Sequence, residues 1–121
     1  MKTIIAGSRT IEDYATVEAA IAASGFTITQ VVSGCARGVD RLGEQWGYAH
    51  NALIARFPAD WKRYEKRAGI IRNKEMAAYA DALVAVWDGQ STGTAHMIRM
   101  ARARGLQVYV YTIGVQQEAL R

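Results

Sequence analysis

Short apolar runs alternate with stretches of helical spacing along this chain. The runs fall at Thr3 to Ala6, Thr29 to Ser33, Leu53 to Phe57, Ala82 to Trp87 and Leu106 to Thr112. Most lack a polar alternation, the pattern of strands covered on both faces. Between them, Ile11, Tyr14, Val17 and Ile21 recur at helical spacing, with Thr10 as the expected N-cap, Asp13 at N3 and Gly25 past the end. Val39, Leu42, Trp46 and Ala49 make a second stripe, introduced by Gly38. A third helix is predicted over Gly69 to Tyr79, after a long connection from Pro58 to Ala68. The fourth runs from Thr94 to Arg104, with Ala95, Ile98 and Ala101 inward and Arg99, Arg102 and Arg104 outward, and Gly105 closes it. The polar tail from Gly114 to Arg121 reads as a helical turn.

Strand and helix alternating in this way specify an α/β sandwich with a mostly parallel sheet of about five strands. Right-handed crossovers place helices on both faces, giving three layers. In such sheets ligands bind beyond the carboxyl ends of the strands, where the strand order reverses. The loops that follow strands are therefore the place to look for function.

Composition narrows the class. The chain has 121 residues, half of them hydrophobic and 21% charged, which suits one globular domain over residues 1–121. Fifteen Lys and Arg against eleven Asp and Glu leave a net charge of +4, a mild surplus that suits an anionic ligand or a weak nucleic-acid contact. A lone cysteine excludes an internal disulfide, and with two histidines and no cysteine pair a zinc site is not expected; no cofactor is expected either. No apolar run approaches the roughly 18 residues of a membrane span. The opening Met1-Lys2-Thr3-Ile4-Ile5-Ala6-Gly7 turns to glycine too early for a signal peptide. A soluble, cytoplasmic protein without membrane contact is the expectation.

Three strand-end loops carry unusual chemistry. They are Gly7-Ser8-Arg9-Thr10, then Ser33-Gly34-Cys35-Ala36-Arg37-Gly38-Val39-Asp40, then Asp88-Gly89-Gln90-Ser91-Thr92-Gly93-Thr94. Each joins a strand to a helix, and the glycines let backbone approach a ligand. Free N–H groups at a helix start favour an anion, above all phosphate. The hydroxyls of Ser8, Ser33, Ser91, Thr92 and Thr94 and the guanidinium groups of Arg9 and Arg37 add suitable donors. One such loop is an ordinary capped turn. Three at one sheet edge point to a phosphate-bearing small molecule.

These blocks resemble a known family. With Arg41 after the second loop, Pro58-Ala59-Asp60-Trp61 and Ala68-Gly69-Ile70-Ile71-Arg72-Asn73-Lys74-Glu75-Met76, and with Trp87-Asp88 through Ala95-His96-Met97, they look like the YspA/YpsA-related branch of the SLOG superfamily, over nearly the whole chain. The resemblance implies a Rossmann-like fold with strand order 3-2-1-4-5. It also implies binding or processing of nucleotides and nucleotide-derived signals, including ADP-ribose-like molecules, often in phage–host conflict, and a homodimer or higher homo-oligomer. The superfamily is similar to the LOG (lysine decarboxylase-like) phosphoribohydrolases and to the DNA-processing protein DprA. The LOG enzymes carry P-G-G-x-G-T-x-x-E, and aligning Gly93-Thr94 with that motif puts Met97 where the glutamate stands. A thioether neither ionises nor stabilises a developing cation, so the resemblance does not carry the hydrolase chemistry with it.

The expected ligand- and phosphate-binding set is Gly7, Ser8, Arg9, Ser33, Gly34, Arg37, Gly38, Asp40, Arg72, Asn73, Asp88, Gly89, Ser91, Thr92, Gly93 and Thr94. In it Arg72 would hold a phosphate and Asn73 a ribose or base edge. Trp61 and Tyr64 would stack on a base, close over the site as a lid, or simply pack; His96 would approach from the fourth helix. Cys35, near a helix start, sits where a thiolate is favoured, with no histidine base assigned to it. Glu75 reads as a solvated helix residue. Binding of a nucleotide derivative, by a sensor, carrier or sequestering protein, is the simplest reading. Hydrolysis of an N-glycosidic or phosphate-linked bond is the alternative. Single-strand nucleic-acid binding is a third reading, resting on Lys62, Arg63, Lys66, Arg67, Arg72 and Lys74 around Trp61 and Tyr64.

Overall fold

The computed structural model describes residues 1–114, so the helical turn expected for the tail lies outside the described residues. Five strands form one parallel sheet: β1 (Lys2–Gly7), β2 (Gln30–Ser33), β3 (Leu53–Arg56), β4 (Ala82–Trp87) and β5 (Gln107–Thr112). Their order is β3-β2-β1-β4-β5, with every neighbouring pair parallel. The helices are α1 (Tyr14–Ser24), α2 (Val39–Ala49), α3 (Trp61–Tyr64), α4 (Ala68–Tyr79) and α5 (Thr92–Ala103). This is a Rossmann-like α/β sandwich. No helix among the described residues is long and apolar enough to cross a membrane.

The continuous apolar runs are explained by the two cores they feed. Side chains alternate across the sheet, so Ile4, Val32 and Leu83 meet Met76 of α4 and Met97 and Ala101 of α5 on one face. Ile5, Val31 and Val84 meet Val17 and Ile21 of α1 and Val39 of α2 on the other. The central strands are buried throughout, as their sequence predicts. The edge strand β3 is not: Leu53 is 69% exposed despite its apolar run.

Three local expectations need correction. Asp13, not Thr10, caps α1, its carboxylate accepting the Ala15 N–H at 3.2 Å. Gly25 ends that helix as expected, at φ 69°. On α2 the inward face is not the Val39, Leu42, Trp46 and Ala49 stripe. Val39, Asp40, Gly43, Glu44 and Gly47 are buried, whereas Ala49 is exposed. The cause is close approach: a Cβ at Gly43 would lie 2.6 Å from the Ile5 side chain, and one at Gly47 2.5 Å from Ile54. With the helix pressed against the sheet, Leu42 and Trp46 reach only its margins. The connection before α4 is also more ordered than its composition suggests, because Asp60 accepts the Arg63 N–H at 3.1 Å and starts α3.

Candidate functional site

The strand order reverses at β1. The chain leaves β1 towards β2 and β3, then returns to build β4 and β5 on its other side, so the loops after β1 and β4 diverge. A cavity of about 780 Å³ opens there. Of the expected residues, Gly7, Ser8, Arg9, Arg37, Asp40, Arg72, Asn73, Asp88, Ser91, Thr92, Gly93 and Thr94 line it. Gly34 and Cys35 line an adjoining hollow of about 540 Å³, which shares Arg9, Arg37, Trp61 and Arg72 with the first. Ser33, Gly38 and Gly89 line neither.

The mouth between β1 and β4 is built from backbone. Gly7 is required there, since a Cβ would lie 1.9 Å from the Val86 carbonyl oxygen. The Ser8 N–H donates to that same carbonyl at 3.1 Å. Asp88 closes the next turn, its Oδ1 accepting the N–H groups of Gln90 and Ser91, both at 2.8 Å. These bonds, Ser91's first, hold its carboxyl below the usual carboxylate range. Ser91 caps α5 by accepting from the Thr94 N–H at 3.4 Å and its hydroxyl at 3.1 Å. The N–H groups of Thr92 and Gly93 have no partner among the described residues, and both residues are exposed in the cavity wall. They form the anion-seeking end of a twelve-residue helix.

A chain of polar contacts crosses the opposite wall. Arg72 donates through Nη1 to the Gly34 carbonyl and through Nε to Asn73 Oδ1, the latter at 3.1 Å. An arginine only donates, so the Asn73 oxygen faces it and the amide nitrogen faces away. That nitrogen lies 3.1 Å from His96 Nδ1 and 3.4 Å from the Gly93 carbonyl. His96 therefore accepts at Nδ1 and carries its proton on Nε2. Burial, with Arg99 and Lys74 nearby, lowers its pKa and keeps the ring neutral at pH 7. Burial also lowers the pKa of the Arg72 guanidinium, which remains cationic.

Asp40, in the first turn of α2, is 6% exposed. Burial raises its pKa to about 6, against the opposing pull of the Ala36 N–H and the Arg72 charge. Gly34 separates it from Arg72: a Cβ there would lie 2.8 Å from Asp40 Oδ2 and 2.7 Å from Arg72 Nη1.

Spacing placed Ser33 in the binding set; in the structure it lines neither cavity. Its side chain is fully buried, and its hydroxyl donates to Glu44 Oε2 at 2.5 Å. Glu44, which no sequence signal singled out, also accepts from Arg56 at 2.6 Å and ties α2 to β3. Cys35 stands at φ 66°, and burial pushes its thiol pKa up, Glu44 adding to the effect. The thiolate expected from its place near a helix start is thus not favoured. Lys66 and Arg99 line the cavity as well, so five cations there (Arg9, Arg37, Lys66, Arg72 and Arg99) face two carboxylates, Asp40 and Asp88. Arg99 was legible as an outward helix residue; that this outward direction leads into the cavity depends on how α4 and α5 pack.

A parallel 3-2-1-4-5 sheet with glycine- and hydroxyl-bearing loops at its reversal point defines a Rossmann-like protein with a binding cavity at the strand ends. The YAcAr family model, described as the YspA, cpYpsA-related SLOG family, matches residues 1–64. The chain is also 36% identical over 117 residues to the Gene 61 protein of Mycobacterium phage D29, covering 88% of this chain and 93% of that one. It belongs to the YspA, cpYpsA-related SLOG family, and membership points at a general level to a nucleotide-related ligand. No solved structure matches the chain.

Proposed function

We propose that this protein binds a nucleoside phosphate or ADP-ribose-like molecule and acts as a sensor, carrier or sequestering protein. The observation that carries the reading is the pairing of an open α5 N-terminus with five cations around one cavity at the strand-order reversal. Phosphate would lie against the Thr92 and Gly93 N–H groups with Arg9, Arg37 and Arg72 in reach, while the exposed Trp61 offers a ring face. The adjoining hollow, across the shared arginines, gives room for a ligand with a second lobe.

The test is a thermal-shift and calorimetric panel of AMP, ADP, ADP-ribose and inorganic pyrophosphate on the wild type and on Arg9→Ala. Binding that weakens in the variant is the expected result. A panel in which no nucleotide shifts the melting point sinks the reading. Release of free base from a nucleoside monophosphate would favour the hydrolase instead. For that chemistry the buried Met97 supplies no acid or base, although Asp40 and His96 face the cavity. Single-strand nucleic acid bound with a steep loss on added salt would favour the third reading. A homodimer, on the family resemblance, and a cytoplasmic location, on the sequence composition, belong to the proposal.

A further inference from the structure

Asp40 was grouped with the phosphate ligands, but an ionised carboxylate has no proton to offer a phosphate and repels it. Its surroundings suit a different partner. Oδ2 is engaged, accepting the Ala36 N–H at 3.2 Å beside Gly34. Oδ1 has no hydrogen bond among the described residues, and no cation lies within 4 Å of the carboxylate there, where the one ion pair is Arg56 with Glu44. The residue is more than nine-tenths buried and lines the cavity. The side chain is buried but this oxygen is not an enclosed orphan, the one such atom among the described residues being Thr3 Oγ1; on the cavity wall it is open to a donor supplied by a ligand. The arginines beside it fix where the ligand's anionic part sits, so the donor belongs to the portion of the ligand next to its phosphate.

We propose that Asp40 is a specificity-determining residue: its free oxygen accepts a hydrogen bond from a hydroxyl of the sugar whose phosphate the neighbouring arginines hold. The inference rests on the nucleotide reading above and names what that site selects. A pocket built around a hydroxyl rejects the analogue lacking it strongly, because the acceptor is left unpaired. Asp40→Asn keeps an oxygen for the Ala36 N–H while removing the charge that makes the second oxygen a strong acceptor.

The experiment titrates the full chain, wild type and Asp40→Asn, with AMP and its 2′-deoxy and 3′-deoxy counterparts at pH 7.5. The wild type is expected to bind one deoxy compound about tenfold or more weakly than AMP, and the variant to narrow that gap to about threefold or less. Equal discrimination in both proteins, or none in the wild type, overturns the proposal while leaving nucleotide binding intact. Failure of AMP, ADP and ADP-ribose alike to bind the wild type overturns the nucleotide reading, and this proposal with it. If Asp40→Asn does not fold, carbon-13 titration of the wild-type Asp40 carboxyl decides. Arg72 on α4, Arg9 after β1 and Glu44 on α2 act on this carboxyl with either ligand bound. Its midpoint is expected to be lower with AMP than with the discriminated deoxy compound. Equal midpoints overturn the proposal.

Discussion

The Asp88 backbone N–H donates to the Ser8 hydroxyl at 3.0 Å, tying the loop after β1 to the loop after β4 at the mouth of the cavity. The Ser8 carbonyl accepts in turn from the N–H groups of Ile11 and Val39, so one buried serine joins three strand-end loops. Its hydroxyl is part of the frame before it is a donor to any ligand. Ser8→Ala is expected to cost about 1 kcal/mol and to lower the melting point by roughly 4 °C. An unchanged melting point would show that the bond contributes nothing.

Ser33 and Glu44 separate structure from binding. Glu44→Ala strands the buried Ser33 hydroxyl and is expected to destabilise by about 2 kcal/mol in urea unfolding. Ser33→Ala is expected to lose stability yet keep wild-type nucleotide affinity, since that side chain does not line the cavity. A calorimetric loss of affinity in a folded Ser33→Ala protein would restore the residue to the site.

Asp40 gives stability an acid-side dependence opposite to that of most carboxylates. Its folded pKa of about 6 lies above the ordinary 3.8, so the native state holds this proton more tightly than the unfolded chain. The contribution is complete below pH about 4 and is lost as pH rises through about 6. Between pH 4.5 and 7.5 the wild type is expected to lose about 2 kcal/mol relative to Asp40→Asn. Urea midpoints of the two proteins at both pH values check this; parallel profiles would refute it.

The Asn73 contact assigns the His96 tautomer. Nitrogen-15 NMR at pH 7.5 is expected to show the proton on Nε2, with a titration midpoint below 6.5. Asn73→Asp places a carboxylate against Nδ1 and is expected to move the proton there and raise the midpoint. A wild-type Nδ1 proton would reverse the reading of the whole Arg72–Asn73–His96 chain.

Sheet and caps were legible where local chemistry decides them. The apolar runs located all five strands, Ala82 to Trp87 without a residue's error, and Gly25 and Gly38 marked helix ends because each stands at positive φ. The order of the strands came from the family resemblance, since hydrophobic periodicity carries no information on which strands are neighbours. Burial of α2 was misjudged because glycines at 43 and 47 mark close packing, which a search for large apolar residues passes over. Most of the loop residues reached the cavity. Ser33 failed because the buried Glu44, eleven residues later, claims its hydroxyl. Lys66 was read only as part of a basic run and Arg99 only as an outward helix charge; that both line the cavity depends on tertiary placement.

Gly7 has a consequence for how such a site can diversify. With the Val86 carbonyl 1.9 Å from where a Cβ would be, the floor of the cavity admits no side chain at all, and any substitution there must part β1 from β4. Exposed positions around the opening, such as Arg9, Arg37, Trp61 and Arg99, carry no such constraint, and exchanges there cost little stability. New ligand preferences on this scaffold can therefore accumulate at the rim one side chain at a time, over an invariant backbone floor that keeps the folding problem the same.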